Sequence, residues 1–495
     1  MEEITKSTNI QVIQESKKEI KRIVKTRFAP SPTGIMHFGN VRTALFNYLF
    51  AKHNEGEFIL RIEDTDQERS KEEYISSIFD SLTVLGLKWD GSVVYQSERL
   101  PIYEKLYKVL LDRRLIYRCF CSEEKLSLMR KIQLSQGLPP RYNGFCLKLK
   151  ETEIKKRIAN QEPFCWRFKV PKNTTIEFTD LIKGKQKFNS SDFSDFIIRR
   201  QDSTAPFMFC NAVDDALQGV THALRGEDHL TNTPRQLLLL QVLGLLPPQY
   251  GHFPLINDID GLKLSKRGGS GSIRDLLVEG YLPEALLNYL ARLGHNYDIK
   301  DNHVLNQILS LDQLAVNFNI NNISLNPARH DQAHLHFWQK QSMLLISEDQ
   351  LLNILKENID FNNIFENNKH RLVDFLHLIK TNITMPQEAI MWAAAFFTDN
   401  FYDLNLSVDA KEILQNININ FLKTVITCME TNNNFSKLCE ELKKLGFTGK
   451  NLFINLRILF TGQTYGAELN KIFDLVGAQR IKNRATQILQ NIANI

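Results

Sequence analysis

The sequence has no long hydrophobic run. Its longest apolar stretch, LLLLQVLGLLPP (residues 237–248), is interrupted by Gln241 and ends in two prolines. A membrane-spanning helix needs about 20 consecutive apolar residues, so none is expected. The amino-terminal stretch MEEITKSTNIQVIQESKKEIKRIV is polar and lacks the apolar centre of a secretory signal. We therefore expect neither membrane insertion nor secretion.

Cysteine is scarce and unevenly distributed. The chain has seven cysteines, an odd number, and three of them fall between residues 119 and 146. Secreted disulfide scaffolds instead have an even number of cysteines at regular spacing. The pattern therefore predicts a reduced, cytoplasmic chain. We interpret the remaining four as isolated packing residues: Cys165, Cys210, Cys428 and Cys439.

The chain also lacks a strong charge of either sign. It has 61 Lys and Arg against 56 Asp and Glu, a formal net charge of +5. This balance permits a polyanionic partner such as nucleic acid without requiring one. No GxxxxGK[ST] sequence occurs, so a P-loop nucleotide site is excluded.

What is present is an alternation of strand and helix patterns after residue 22. RIVKTRFA is β-leaning, NVRTALFNYLFAKHN has apolar residues at the spacing of an amphipathic helix, and EFILRIED is a second short strand. Strand, helix and strand in this order predict a βαβ unit in a parallel, doubly wound sheet. The pattern becomes irregular between about residues 105 and 215, as expected for an insertion, and helical beyond about 345.

The connection FAPSPTGIMHFGN (residues 28–40) lies between that first strand and helix, where open parallel sheets bind ligands. We interpret Asn40 as the N-cap of the helix, and His37 as a hydrogen-bond donor to a phosphate at this anion-favouring helix start. The alternative is an ordinary turn with an incidental surface histidine. The residues that restrict the backbone or leave room beside it are Pro30, Pro32, Gly34 and Gly39.

A second loop, DGLKLSKRGGSGS (residues 260–272), carries three cations followed by flexible residues. Fixed positive charge on such a loop is suited to stabilising a triphosphate, although a solvated charged run is the usual meaning of such a stretch. The histidine-containing loop followed by Lys-x-Ser-Lys resembles the HIGH and KMSKS signatures of class I aminoacyl-tRNA synthetases.

Further segments make the resemblance specific. RFAPSPTGIMHFGNVRTALFNYLFA, RIEDTDQERS, VYQSERLPIYEKL, VDDALQGVTHALRGEDHLTNTPRQLLL and GYLPEALLNYLARLG together resemble a bacterial-type glutamyl-tRNA synthetase. The similarity extends from about residue 24 to about 345, and in the last third only the helical character agrees. The related glutamyl-queuosine tRNA synthetase lacks that last region, so the length of this chain argues against it.

The resemblance implies a domain organisation. We expect an N-terminal extension over residues 1–22, a class I catalytic domain over 23–345 and a helical anticodon-binding domain over 346–495. The catalytic domain is expected to contain an acceptor-binding insertion over about 105–215 and a stem-contact region over about 270–345. The expected fold class is α/β, with a Rossmann-like, doubly wound parallel sheet and an inserted domain, followed by an all-α region.

The resemblance also implies the reaction. The glutamate carboxylate attacks the α-phosphorus of ATP, which is accompanied by Mg²⁺, and the resulting adenylate is transferred to the terminal ribose of tRNA-Glu. It further implies a monomer, and it leaves open whether tRNA-Gln is also charged. His37 and Lys266 are the expected catalytic residues. The expected ATP-binding residues are His37, Gly39, Asn40, Lys263, Ser265, Lys266 and Arg267.

Glutamate presents two carboxylates and an ammonium group, so its pocket needs arginines and an acid. Two alternatives stay open: a surface ion pair between Arg225 and Glu227, and a merely structural Glu63 that caps a helix or pairs with Arg61. By resemblance, the glutamate-binding positions are Arg27, Ser31, Glu63, Phe207, Asn211 and Arg225.

Phe207 departs from the family, which usually has a tyrosine at this position. The neighbouring Gly-x-Pro pattern is also altered, to STAPF. The substitution bears on glutamate affinity rather than on the reaction class. The alternative is that Phe207 is a core aromatic.

The expected insertion contains RCFCSEEK and PPRYNGFCLKL. Cys119, Cys121 and Cys146 supply most of a tetrahedral zinc site. Some family members add a histidine two residues after the last cysteine, where this chain has Lys148. The resemblance suggests Tyr142 as the substitute ligand. The alternative is three thiols without a metal.

Two other functions remain open. A tRNA-binding or regulatory paralogue without activity is disfavoured by the intact HFGN and KLSKR sequences. A related ligase that activates a small acid is disfavoured by the long helical region and by RGEDH.

Overall fold

The computed structural model describes residues 22–258, 260–262, 272–297, 307–431 and 434–493, together with the backbone of residues 10–11. Lys263, Ser265, Lys266 and Arg267, the predicted phosphate-loop residues, lie outside the described residues, as does most of the predicted extension. The contacts divide the chain into two compact units. One comprises Met1–Val278 and Leu286–Gln332, and the other comprises Glu279–Ala285 and Ala333–Ile495.

The first unit contains the strands. In chain order they are β1 Ile10–Gln11, β2 Lys25–Phe28, β3 Glu57–Ile62, β4 Val94–Tyr95, β5 Ile116–Cys119, β6 Cys165–Phe168, β7 Thr175–Asp180, β8 Gly184–Asn189, β9 Phe196–Arg199, β10 His222–Gly226, β11 Gln249–Phe253, β12 Ile256–Asn257 and β13 Ala328–Arg329.

The α-helices that precede residue 332 accompany these strands. They are α1 Phe38–His53, α2 Glu72–Val84, α3 Leu100–Asp112, α4 Glu123–Ser135, α5 Glu151–Ala159, α6 Phe207–Leu217 and α7 Thr233–Leu243, followed by Ile273–Glu279, Pro283–Arg292 and Leu311–Val316.

Parallel pairing organises the sheet that underlies the predicted site. β2 pairs with β3, β3 with β4, and β10 with β11, all in the parallel sense. Thr221, just before β10, donates its backbone N–H to the carbonyl of Lys25 at 2.9 Å, so β10 adjoins β2. The βαβ unit predicted for β2, α1 and β3 is confirmed.

Helix α1 is buried more completely than an amphipathic helix. Its buried residues include Phe46 and Asn47 as well as the predicted apolar stripe, because the helix packs on β2, β3 and β10 and also against Leu311–Val316. Its polar side chains are satisfied internally. Asn47 Nδ2 donates to the carbonyl of Leu224 at 3.0 Å, as burial of an amide requires.

The inserted segment forms antiparallel structure. β5, β6 and β9 make one sheet in that order, while β7 and β8 form a hairpin whose β7 edge pairs with β1 in the parallel sense. The β7–β8 hairpin needs only a short connection, whereas β5 and β6 are joined through α4 and α5. The regular strand–helix alternation is therefore interrupted here.

In the second unit, every regular element described after residue 332 is helical. Large aromatic side chains such as Trp392, Phe396 and Phe375 form its buried centre. The predicted α/β class with a helical C-terminal region is therefore confirmed. Its α-helices are Gln332–Leu345, Glu348–Leu355, Ile359–Glu366, Leu372–Ile379, Glu388–Phe397, Val408–Gln415, Ile419–Thr431, Phe435–Lys444, Gly449–Thr461, Leu469–Val476 and Ala478–Ala493.

Among the described helices, none combines the length and the apolar character needed to cross a bilayer.

Candidate active site

The loop between β2 and α1 begins the site. The carbonyls of Pro30 and Pro32 accept hydrogen bonds from the backbone N–H groups of Glu63 at 2.9 Å and Lys71 at 3.2 Å. One bond attaches the loop to the end of β3, and the other attaches it to Lys71, the N-cap of α2. Proline lacks an N–H but keeps its carbonyl, so both prolines can still accept these bonds.

His37, rather than Asn40, is the N-cap of α1. Its Nδ1 accepts a hydrogen bond from the backbone N–H of Gly39 at 3.1 Å. Asn40, three residues later, accepts from the backbone N–H of His37 at 3.4 Å and completes a capping box. The predicted N-cap is therefore one turn too late, and a Cβ at Gly39 would lie 3.1 Å from the His37 ring. Glycine makes room for that ring.

Four of the predicted glutamate-binding residues lie together at the carboxyl ends of adjacent strands and on α6. Arg27 is on β2, Glu63 follows β3, Arg225 is on β10 and Asn211 is on α6. All four residues are at least 95% buried. The position at strand ends is where an open parallel sheet binds its ligand.

Asp215 ties two arginines into this cluster. Its Oδ1 lies 2.9 Å from Arg27 Nε and 2.7 Å from Arg61 Nη2, with all three side chains buried. Burial alone would raise the pKa of Asp215, but the two guanidinium groups hold it below its ordinary value. Arg27 is thus fixed in position by a carboxylate from α6.

Glu63 is held between a cation and an amide. Its Oε1 lies 3.2 Å from Arg61 Nη2 and accepts a hydrogen bond from Asn211 Nδ2 at 2.7 Å. Burial raises the pKa of Glu63, and the contacts with Arg61 and Asn211 oppose that rise. The structural alternative, a pair with Arg61, is therefore present in the structure, but as one part of a larger network.

Arg225 differs from the other arginines because its hydrogen-bond partners are neutral. Nη1 donates to Asn211 Oδ1 at 3.3 Å, and Nη2 donates to Thr233 Oγ1 at 2.9 Å and to Gln236 Oε1 at 2.7 Å. Nε donates to Nε2 of His252 at 3.2 Å. Within the described residues, no carboxylate oxygen lies within ion-pair distance of it. Burial lowers the pKa of Arg225 to about 10.

The predicted alternative of a surface pair between Arg225 and Glu227 is wrong. Glu227 instead pairs with Lys183 Nζ at 2.6 Å and accepts the backbone N–H of Leu255 at 3.1 Å. Arg225 is only 5% exposed. A buried guanidinium that is hydrogen-bonded to neutral groups is suited to an anionic ligand.

The charges of the cluster favour an anion. Three buried guanidinium groups, those of Arg27, Arg61 and Arg225, accompany two buried carboxylates, those of Glu63 and Asp215. With both acids ionised, the cluster carries one excess positive charge. A ligand with a net charge of −1, such as glutamate, would neutralise it.

Asp214, the acid that precedes Asp215, has a different role. It accepts hydrogen bonds from Tyr103 Oη at 2.5 Å, Arg99 Nε at 2.6 Å and Gln96 Nε2 at 2.9 Å. These partners lie on α3 and the turn before it. Asp214 therefore anchors the segment that leads into the insertion.

Two predicted residues are not joined to this cluster by a described contact. Ser31 is exposed on the loop. Phe207 is half-buried at the start of α6, with its ring centroid 4.9 Å from that of His229. Burial and, next in size, the positive charge of nearby Arg225 lower the pKa of His229 to about 4. Phe207 therefore contacts a residue that is within electrostatic range of the arginine cluster.

Sequence reasoning named Arg61 only as an alternative partner of Glu63. It missed several other residues that hold the site: Asp180, Asp215, Thr233, Gln236 and His252. Some lie in segments that carry the family resemblance, but their burial has no signal in the sequence.

The predicted metal ligands form a second cluster, in the insertion. The sulfurs of Cys119, Cys121 and Cys146 all lie within 4.8 Å of one another and are buried. The hydroxyl oxygen of Tyr142 lies 3.4 Å from the Cys119 sulfur and 3.9 Å from that of Cys121. Lys148 is exposed, so it does not take a ligand position.

Cys165 is not the isolated packing residue that its sequence position predicts. It lies directly opposite Cys119 in the antiparallel pair of β5 and β6 and packs in the same buried cluster. Hydrogen bonds from Cys146 and Cys165 hold the pKa of the Cys119 thiol well below its ordinary value. The other three cysteines expected to pack in the core, Cys210, Cys428 and Cys439, are buried.

The chain is similar to known proteins along nearly its whole length. A family model described as "tRNA synthetases class I (E and Q), catalytic domain" matches residues 23–337. Glutamate–tRNA ligase 2 of Nitrosococcus oceani is 43% identical over 474 residues, which cover 94% of this chain and 98% of that protein. Glutamate–tRNA ligase 1 of Coxiella burnetii is 43% identical over 478 residues, which cover 94% of this chain and 100% of that protein.

A solved structure agrees. The crystal structure of a glutamate tRNA ligase from Elizabethkingia meningosepticum, in complex with its amino acid, has a TM-score of 0.82 and 26% identity. The match covers 95% of this chain and 99% of that one. Since the family model spans more than half of the chain and relatives of 43% identity align with almost all of it, the chain belongs to the glutamate–tRNA ligases of the class I tRNA synthetases.

Proposed function

We propose that the protein attaches L-glutamate to tRNA-Glu in two steps. An oxygen of the glutamate α-carboxylate attacks the α-phosphorus of ATP, so that pyrophosphate leaves and glutamyl-adenylate forms. A hydroxyl of the terminal tRNA ribose then attacks the adenylate carbonyl, and AMP leaves. No protein nucleophile is required, so catalysis depends on positioning and on stabilising developing negative charge.

The hydrogen-bond pattern of Arg225 is the main support for the proposal. Its guanidinium is buried and, among the described residues, donates to neutral acceptors alone. A substrate carboxylate would supply the missing counter-charge. Four of the five guanidinium N–H groups already donate to the described acceptors, so the remaining Nη1 N–H is the donor proposed to bind it. Arg27 supplies a second cation beside it, already oriented by Asp215.

Glu63 is proposed to recognise the substrate ammonium. It is the acid at the end of β3, and Asn211 connects it to Arg225 by donating to Glu63 and accepting from Arg225. An ammonium bound near Glu63 and a carboxylate bound by Arg225 would thus be held at opposite ends of one hydrogen-bonded chain. Ser31 and Phe207 are proposed to complete the pocket from the loop and from the start of α6.

The ATP phosphates are proposed to bind at the start of α1. His37, Gly39 and Asn40 lie in the first turn, where helix N–H groups and the helix dipole favour an anion. Lys263, Ser265, Lys266 and Arg267 belong to the same proposal on the strength of the sequence alone. Mg²⁺ would accompany ATP, and no protein ligand is assigned to it.

A zinc ion is proposed in the cysteine cluster. Sulfurs bound to zinc at about 2.3 Å in a tetrahedron lie about 3.8 Å from one another, and the sulfurs of Cys121 and Cys146 are 3.6 Å apart. With Cys119 and the Tyr142 oxygen, the donors number four and suit zinc. The ion would hold the insertion together rather than take part in the reaction.

Aminoacylation of purified tRNA-Glu and tRNA-Gln side by side tests the proposed function. Radiolabelled glutamate should be transferred to tRNA-Glu in the presence of ATP, whereas aspartate should not. The resemblance further implies that glutamate-dependent ATP–pyrophosphate exchange needs bound tRNA, and that tRNA affinity falls steeply with salt. Failure to charge tRNA-Glu under any of these conditions would refute the assignment. The cytoplasmic location and the monomeric state rest on the family resemblance.

A further inference from the structure

A buried hydrogen-bonded relay connects the insertion to the proposed glutamate pocket. Asp180 is the last residue of β7, in the inserted segment. His252 lies on β11 and Arg225 on β10, and these two residues are register partners in the parallel pair. Register partners present their side chains on the same face of a sheet, so the ring of His252 lies beside the guanidinium of Arg225.

The three side chains are joined in sequence. Nδ1 of His252 lies 2.6 Å from Asp180 Oδ2, and neither side chain has any exposed surface. On the other side of the ring, Nε2 accepts from Arg225 Nε at 3.2 Å. The Thr233 hydroxyl lies 3.2 Å from the same nitrogen, and its oxygen already accepts from Arg225. The hydroxyl hydrogen is therefore available to Nε2.

These contacts allow only one tautomer of neutral His252. Two donors converge on Nε2, so the proton must be on Nδ1, where the Asp180 carboxylate accepts it. Burial lowers the pKa of His252, which is consistent with a neutral ring. Burial also acts to raise the pKa of Asp180, but the bond from His252 and two backbone N–H groups hold that pKa below its ordinary value.

Asp180 is itself fixed rigidly. Its Oδ1 accepts the backbone N–H groups of Ile182 at 3.0 Å, Lys183 at 2.8 Å and His252 at 3.2 Å. The turn between β7 and β8 therefore determines where the carboxylate lies. Because Oδ1 is occupied by three donors, only Oδ2 is available to the His252 ring.

We propose that Asp180 positions Arg225 for substrate through His252, by fixing the Nδ1–H tautomer so that Nε2 accepts from the guanidinium. Asp180 and His252 are then positioning residues, and they act from the insertion on a pocket to which Asp180 does not itself belong. The inference rests on the proposed role of Arg225 in binding the glutamate carboxylate.

Asp180→Asn tests the relay with almost no change of shape. The amide oxygen must stay at the Oδ1 position to accept three backbone N–H groups, so the amide N–H₂ faces His252 Nδ1. The ring must then carry its proton on Nε2, where it opposes the N–H of Arg225. We expect the KM for glutamate to rise at least about tenfold, the loss of one charge-assisted hydrogen bond. The KM for ATP and kcat should stay within about threefold.

Asp195→Asn is the matched control. Asp195 lies in the same insertion and accepts hydrogen bonds from Tyr117 Oη at 2.6 Å and from the backbone N–H of Val170 at 2.9 Å, but it has no described contact with His252 or Arg225. If Asp195→Asn raises the KM for glutamate as much as Asp180→Asn does, a general loosening of the insertion explains the effect and the relay is refuted.

The tautomer itself can be measured without substrate. In protein labelled with ¹⁵N-histidine, the resonances of His252 are those missing from His252→Gln. The wild-type protein should show a protonated Nδ1 and an unprotonated Nε2, and Asp180→Asn should show the reverse. A wild-type His252 with its proton on Nε2 would overturn the proposal, even if Asp180→Asn did not fold.

The same measurements separate this inference from the proposed function. If the wild-type protein charges no tRNA with glutamate but shows the predicted tautomer, the function is wrong and the relay geometry stands. If the wild-type protein charges tRNA-Glu, and Asp180→Asn exchanges the tautomer yet keeps the KM for glutamate within twofold, the positioning role is wrong and the function stands.

Discussion

Replacing Arg225 with lysine separates the charge of this residue from its geometry. Lysine keeps the positive charge but presents it as a compact ammonium group rather than a planar fork. In the structure the fork spans four acceptors, on His252, Asn211, Thr233 and Gln236. An ammonium cannot reach all four while also binding a ligand.

The magnitude of the effect follows from the hydrogen bonds that lysine cannot make. A hydrogen bond to a charged group contributes roughly 1.5–3 kcal/mol. Arginine keeps one N–H for the substrate carboxylate after making its four described hydrogen bonds. If lysine cannot make that bond because its ammonium turns to the protein acceptors, kcat/KM for glutamate should fall roughly 10- to 150-fold, since about 1.4 kcal/mol corresponds to a tenfold change. The hydrogen bond exists before the reaction as well as during it, so most of the change should be in KM rather than in kcat.

The assay is tRNA-dependent ATP–pyrophosphate exchange with glutamate varied at saturating ATP. Arg157→Lys is the control for the same chemical change elsewhere. Arg157 lies on α5 in the insertion and contacts carboxylates of the protein, 2.9 Å to Glu162 and 3.5 Å to Glu153. This variant should leave the KM for glutamate unchanged. Thermal denaturation should show that Arg225→Lys is folded, although buried acceptors left unpaired at about 1–3 kcal/mol each will lower its stability. A folded Arg225→Lys enzyme with a KM for glutamate within twofold of the wild-type value would refute the assigned role.

Three further outcomes are expected. Lys266→Ala, in the loop outside the described residues, should raise the barrier to adenylate formation by about 3 kcal/mol, with little change in thermal stability. Near wild-type aminoacylation by this variant would contradict the role of that loop. Metal analysis of wild-type protein purified without chelator should find roughly one zinc per chain, and Cys121→Ser should lose it. Cys428→Ser, which changes a buried cysteine of the second unit, should keep the zinc. Active protein free of zinc would contradict the metal site. Phe207→Tyr should lower the KM for glutamate several-fold with kcat within about threefold, because the added hydroxyl can donate to a carboxylate; an unchanged KM would mean that Phe207 only packs.

The central fold could be predicted because its signals are local. The residues from Lys25 to Ile62 alternate between β-branched or aromatic runs and a helical apolar spacing, and the prolines fix the connection between them. The meeting of Arg27, Glu63, Asn211 and Arg225 is a different kind of success. It comes from resemblance to a family, since nothing in the spacing brings residues of β2, β3, α6 and β10 together.

Most partners of those residues could not be predicted, and the sequence indicates Arg61 only as an alternative pair for Glu63. Arg61 is fully buried in the middle of the charged cluster, and an arginine beside apolar strand residues is expected at the surface. Its contacts with Glu63 and with Asp215, the latter 154 residues away in sequence, make its burial possible. Asp180 and His252 meet because a hairpin of the insertion packs on β11, a contact that periodicity does not report.

Register and capping set the other limits. The spacing of the cysteines does not place Cys165 with Cys119, because their opposition depends on the pairing of two strands separated by two helices. Both His37 and Asn40 are polar residues at a helix start, and the capping box uses both. The sequence identifies the helix start but does not say which of the two is the cap.

The capping role of His37 determines which of its ring nitrogens would donate to a nucleotide at the proposed ATP site. Because Nδ1 accepts from the backbone N–H of Gly39, the proton of the neutral ring is on Nε2, on the opposite side of the ring. The helix start thus selects the donor nitrogen before any nucleotide is bound.

His37→Ala therefore removes two contributions at once: a helix cap of about 0.5–2 kcal/mol and the Nε2 donor. His37→Asn keeps a side-chain acceptor for the helix start, while its shorter amide N–H₂ cannot lie where Nε2 of the longer imidazole lies. The difference between the activities of the two variants then estimates how much of any loss in His37→Ala comes from the folding of the first turn of α1.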